Sequence, residues 1–90
     1  MNKVQEILDI LQEECGEVIQ EVSKVRRFGI DSIHFKENMS HRVVLTNEIG
    51  DLQCMIDLAI EHGLVKKEDI DNAAKRKRAK LQTWSNIFKD

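Results

Sequence analysis

Apolar residues recur along the chain with a period near 3.6, and the pattern lapses in two places, between Gly29 and Ser40 and around Gly63. That spacing predicts three helices, the first two separated by a long connection and the last two by a short one. The first is expected from about Asn2 to Phe28, with Asn2 as N-cap and Gly29 as its stop. Its main stripe, Val4, Ile7, Leu8, Leu11, Cys15, Val18, Val22 and Val25, is close to a heptad and favours an antiparallel partner at a shallow angle. The second is expected from about Ser40 to His62, ending at Gly63, with Leu45, Ile49, Leu52, Ile56 and Ala59 as its main core row. The third runs from about Lys66 to Ile87, with Ile70, Ala74, Leu81, Trp84 and Phe88 facing inward. Residues 29 to 40, GIDSIHFKENMS, hold no sustained period and read as a loop with one short turn, of a length often tied to function.

A second row on each of the first two helices mixes acid with apolar residues. Ile7, Ile10, Glu14, Glu17, Glu21, Lys24 and Phe28 advance by threes and fours, as do Val44, Glu48, Asp51, Met55 and Leu58. Residues at those steps share one helix face. An uncompensated charge on such a seam costs roughly several kcal/mol. Lys24 can partner Glu21, but it lies too far along the helix to serve Glu17 or Glu14, and a divalent cation is the simplest compensator for these two together with Glu48 and Asp51. Within the strings EECGE and EIGD the i to i+3 spacing aims two carboxylates at one spot. Oxygen donors without histidine or thiol suit magnesium or manganese rather than zinc or iron. Glu6, Asp9 and Glu61 read instead as ordinary solvated residues. Glu48 and Asp51 do not, because Val44, Met55 and Leu58 share their row.

The chain has 90 residues, no proline and a formal net charge of -2, consistent with one domain over 1–90. So short a chain buries only about 60% of its surface, and stripes on more than one helix face predict an all-α antiparallel bundle completed by oligomerisation. The near-neutral charge hides an acidic first third and a basic run, Lys75, Arg76, Lys77, Arg78 and Lys80. Lys77 and Lys80 fall on the seam Ile70, Ala73, Lys77, Lys80, Trp84, Ile87, where they either reach water along their methylene stems or bind phosphate oxygens near the metal. Without aromatic interleaving, in a slightly acidic chain, KRKRAK is a weak nucleic-acid signal. Trp84 reads as core rather than as a stacking platform. The absence of a leader pattern and of a bilayer-length apolar stretch leads to a cytoplasmic expectation with no membrane partner. Cys15 and Cys54 are expected as small buried side chains in a reducing compartment, and the lack of a CxxC or Cys/His cluster argues against zinc. His34 and His41 flank the loop, either incidental or part of a binding site. No glycine-rich phosphate loop, Ser/His/Asp set or nucleophilic cysteine context is present.

Glu13-Glu14-Cys15-Gly16-Glu17 followed on the next helix by Glu48-Ile49-Gly50-Asp51 resembles the EExxE and ExxD signature of the MazG-like all-alpha nucleoside triphosphate pyrophosphohydrolases. A third helix with spaced lysines, here Lys77 and Lys80 before Leu81 and Trp84, extends the likeness to about residues 4 to 85. The resemblance implies magnesium-dependent cleavage of a nucleoside triphosphate between the alpha and beta phosphates, with manganese as a substitute metal. It implies Glu14, Glu17, Glu48 and Asp51 as metal ligands, Glu13 as the group that orients or deprotonates the attacking water, and assembly into dimers or tetramers. The spacer of 30 residues between Glu17 and Glu48 is long for the signature, which marks the loop as a specific insert. Two other readings stand beside this one: a non-catalytic helical module that binds a protein partner and needs no metal, and the related phosphoribosyl-ATP pyrophosphohydrolase. A di-iron carboxylate bundle is disfavoured because neither acidic string continues into ExxH.

Overall fold

The computed structural model of the chain describes residues 2–90. Its first helix, α1 (Lys3–Phe28), opens with a capping box: Asn2 Oδ1 accepts from the Gln5 amide at 2.8 Å, and Gln5 Oε1 accepts from the Asn2 amide at 3.3 Å. It closes at Gly29, whose φ of 96° turns the chain away while its amide still donates to the Val25 carbonyl at 2.8 Å.

Residues 29–40 do not form a plain loop. They hold a small antiparallel hairpin, β1 (Ile33–His34) with β2 (Met39–Ser40), in the register Ile33 to Ser40 and His34 to Met39. Asn38, with φ 52°, makes the reversal, a left-handed conformation that asparagine tolerates better than most residues. The hairpin is tied back to the next helix. The His41 amide donates to the Ser32 carbonyl at 2.9 Å, the Arg42 amide to the Ile30 carbonyl at 2.7 Å, and the Arg42 guanidinium makes two bonds to Asp31 at 2.9 and 3.1 Å.

Helix α2 (His41–Glu61) begins under a Ser40 cap, Oγ accepting from the Val43 amide at 3.2 Å, and ends before Gly63 with φ 74°. It lies antiparallel to α1. Ile7 at the start of α1 packs with Met55 and Ala59 late in α2, whereas Glu21 late in α1 meets His41 at the start of α2. The rows that meet are the mixed ones. Ile7, Glu21, Val44 and Met55 are buried, with Ile10, Leu11, Leu58 and Leu64 packed around the apolar end. The expected main stripes are covered only in part: Ile7 and Ala59 are buried and Leu11, Val18, Val25, Leu45, Leu52 and Ile56 half-buried, but Leu8 is 48% exposed, Ile49 50%, and Val4 and Val22 are also exposed. Two packed helices can cover one face of each other, and the carboxylate seams have taken that face. Cys15 and Cys54, expected inside, are exposed for the same reason.

Helix α3 (Lys67–Trp84) lies outside the α1/α2 pair and none of its residues is buried. Of the side chains expected to face inward, Ile70 and Leu81 are half-buried, Ala74 and Phe88 are exposed, and Trp84 is 82% exposed. The helix ends three residues earlier than the pattern predicts, because Ser85 turns extended and its Oγ donates back to the Leu81 carbonyl at 2.7 Å. The molecule measures 39 × 38 × 14 Å. A helix with side chains is about 10–12 Å across, so the chain is one helix layer thick. No helix among the described residues is long and apolar enough to cross a membrane.

Candidate metal centre

Midway along the α1/α2 seam the two acidic strings face each other. Glu14 from α1 and Glu48 and Asp51 from α2 each offer a carboxylate oxygen, and these oxygens lie within 4.8 Å of one another. Glu14 and Glu48 are half-buried and Asp51 is exposed, so the cluster is partly sheltered by the seam and open to solvent on one side. Burial raises the Glu14 carboxyl above its ordinary range, and repulsion from Asp51, Glu17 and Glu13 adds to it. Glu48 is raised likewise, first by burial and then by Glu17, Asp51, Glu14 and Glu21. No basic side chain is among the influences on either group. All-oxygen donors from two rigid elements, two of them resisting ionisation, fit a hard divalent cation, whose charge would reverse that resistance.

Glu17, one turn beyond Glu14, lines a small polar pocket of about 140 Å³ together with Glu48, Glu21, Lys24, His34 and Lys36. It therefore borders the cluster from the hairpin side. Glu13 is exposed and acts on Glu14 through its charge. Lys77 and Lys80 are exposed on α3, which brings neither of them to the acidic cluster within one chain.

Beside this pocket lies a group that the sequence pattern does not reveal. Glu21 is only 3% exposed, and its carboxylate accepts from His41 Nδ1 at 2.7 Å and stands 3.9 Å from His34 Nε2. Both imidazoles are buried as well. Lys24, expected beside Glu21, instead places Nζ 3.4 Å from His34 Nε2. The backbone amides of Lys36 and Glu37 both donate to His34 Nδ1 at 3.3 Å, so the hairpin tip wraps around the ring it presents. The available signal was Glu21's place on the mixed seam, in step with Glu14 and Glu17. One partner, His34, lies in the aperiodic segment, where spacing carries no directional information, and the other, His41, opens α2, where the periodic pattern has only begun.

No protein-family model, no curated protein and no solved structure matches the chain.

Proposed function

We propose that the chain is a magnesium-dependent nucleotide pyrophosphohydrolase of the MazG-like kind, cleaving a nucleoside triphosphate to the monophosphate and pyrophosphate. The observation that carries this reading is the convergence of Glu14, Glu48 and Asp51, from the EExxE and ExxD strings, on one partly buried spot where, among the described residues, none of the three is in an ion pair. Together with Glu17 these residues would hold magnesium, with manganese as a substitute, and the ion supplies positive charge against the phosphate chain.

The chain's own groups then have defined tasks. Glu13 accepts the proton of a water whose oxygen attacks the α-phosphorus, and the bridging P–O bond to the β-phosphate breaks with its electrons leaving on pyrophosphate. Partial burial of Glu14 and Glu48 weakens the solvent screening on the seam side of the cluster, which strengthens charge interactions made from that side. Lys77 and Lys80 enter this scheme from a neighbouring chain. Leu8, Val22 and Ile49 on the outward faces, and Trp84 and Ile87 near the end of α3, are exposed apolar surface that a dimer or tetramer would cover. Such an assembly would complete a bundle that one chain, a single helix layer thick, leaves open.

A panel of nucleotides incubated with magnesium and resolved by chromatography tests the reading. Monophosphate with pyrophosphate is the expected product pair; orthophosphate from a triphosphate, or no turnover of any nucleotide, overturns it. Light scattering at micromolar concentration tests the assembly, and a stable monomer would remove Lys77 and Lys80 from the site.

A further inference from the structure

Next to the candidate metal centre, on the side of the hairpin, the surface opens into a cleft of about 520 Å³. Four rings line it. Phe28 stacks with His41 at 5.9 Å between centroids and 22° between planes, His34 stacks with Phe35 at 6.0 Å and 5°, and the two imidazoles meet at 5.1 Å. Phe28 is 58% exposed and Phe35 84%; each ring rests against an imidazole, with the Arg27 guanidinium 5.0 Å from the Phe28 centroid and Lys36 Nζ 5.7 Å from the Phe35 centroid, so the apolar surface they leave open is rimmed by cations. Flat aromatic walls favour a flat aromatic guest over an aliphatic one, because stacked rings gain both apolar burial and favourable quadrupole contact.

Position gives the guest its identity. Lys24 and His34 line both this cleft and the small polar pocket, which in turn contains Glu17 and Glu48 of the acidic centre. Lys36 also lines the polar pocket. From acids to cations to rings, the three environments follow one another along α1, and Glu17 and Phe28 are separated by three turns, about 16 Å of helix. A ligand matching all three has a polyphosphate at one end, an anionic ester in the middle and a planar heterocycle at the other.

Resting on the pyrophosphohydrolase reading, we propose that the hairpin cleft receives the nucleobase of the substrate against the row of rings that runs from Phe28 to Phe35, while Lys24 and Lys36 hold the α-phosphate at its junction with the sugar. The insert between the two acidic strings is then the specificity element of the protein. His34, fixed by the two amides at the hairpin tip and by Glu21, keeps the outer wall of the cleft in place. Lys24 and Lys36 bring into this chain's own site the cations that α3 does not deliver.

The test uses the full chain with magnesium and two probes, an α,β-methylene nucleoside triphosphate and inorganic tripolyphosphate, followed by NMR of ring and methyl resonances. The nucleotide analogue is expected to shift the ring signals of Phe28, Phe35, His34 and His41, while tripolyphosphate, which reaches Phe35 only through the Lys36 ammonium over its ring, leaves Phe28 unmoved. Phe35→Ala, at an exposed position that contributes little packing, is expected to weaken the analogue about tenfold and tripolyphosphate not at all. Lys36→Met is expected to weaken both probes about threefold. If the analogue binds with magnesium and perturbs signals around Glu48 and Asp51 but not the rings, and Phe35→Ala leaves its affinity intact, the cleft assignment is wrong and the pyrophosphohydrolase reading survives. If neither probe binds in the presence of magnesium, both fail together.

Discussion

Glu14 and Glu21 occupy the same face of α1, two turns apart, and the fold treats them in opposite ways. At Glu21 the chain delivers two imidazoles to one buried carboxylate, one of them at 2.7 Å. At Glu14 it delivers two more carboxylates, Glu48 and Asp51, and leaves the repulsion standing. A folded chain that can satisfy one seam carboxylate so completely has no general difficulty in doing so. The difference is one of partners: Glu21 is tied into the scaffold, whereas the Glu14 cluster is left with like charges only, which is what the proposed cation would relieve.

The sharpest way to break this comparison is to remove a charge from the unsatisfied end. Glu48→Gln or Asp51→Asn is expected to lower magnesium-dependent turnover by about a hundredfold or more, since loss of outer-shell partners alone commonly costs about 10- to 100-fold. The metal-free fold should stay intact or gain stability, because one of the mutually repelling groups has gone. Calorimetric titration of magnesium and melting curves on parent and variants give the measurement, and unchanged metal affinity would sink the ligand assignment.

Removing a partner at the satisfied end should have the opposite effect on stability. His41→Ala leaves Glu21 buried without its closest partner, which is expected to cost about 3 kcal/mol of stability and, in a domain this small, roughly 12 °C or more of melting temperature. Adding Glu21→Gln should recover part of that loss, since the orphaned carboxylate is what makes the single change so damaging. Circular dichroism melts decide between them. A single variant as stable as the parent would mean that the histidine and the carboxylate hold nothing together.

These two clusters also differ in how far they could be read before folding. The boundaries at Asn2, Gly29, Ser40 and Gly63 were legible because caps and stops are local chemistry, and the facing of EECGE on EIGD was legible because helix periodicity fixes which residues share a side. The hairpin was not, since two-residue strands are too short to show a period of two. Without the hairpin there was no way to see His34 and His41 closing on Glu21. The apolar stripe containing Leu8 and Val22 was legible as a stripe, but periodicity cannot say whether its cover comes from the same chain or another. For α3 that ambiguity extends to the whole helix.

Acidity offers a finer probe. Glu14 and Glu48 have folded-state pKa values above their ordinary ones, so each destabilises the metal-free protein once pH exceeds its raised value. As pH falls through the raised values towards the ordinary glutamate range, the folded state takes up protons more readily than the unfolded one, and this destabilisation is relieved. A cation at the cluster works in reverse, competing with those protons. The melting-temperature gain from a fixed magnesium concentration should therefore be full well above the raised values and shrink as pH falls through them towards the ordinary glutamate range, on the order of a few degrees in total. A gain that is constant over that range would place the ion elsewhere.

The smallest expected effect tests whether α3 belongs to the comparison at all. Lys77→Met keeps most of the stem and removes the ammonium, so in a chain where Lys77 is exposed the fold should be untouched. If a neighbouring chain brings this lysine to the triphosphate, the outcome depends on when its charge is felt. Stabilisation confined to the transition state lowers turnover more than substrate affinity, whereas simple attraction raises the Michaelis constant alone, in either case by about tenfold or less. Raising protein concentration through the assembly range should then bring out the difference between parent and variant, because a lysine supplied from outside the chain acts only in the associated form. Kinetics identical to the parent at every concentration would assign Lys77 to the solvated face of α3 and leave Lys24 and Lys36 as the cations of the site.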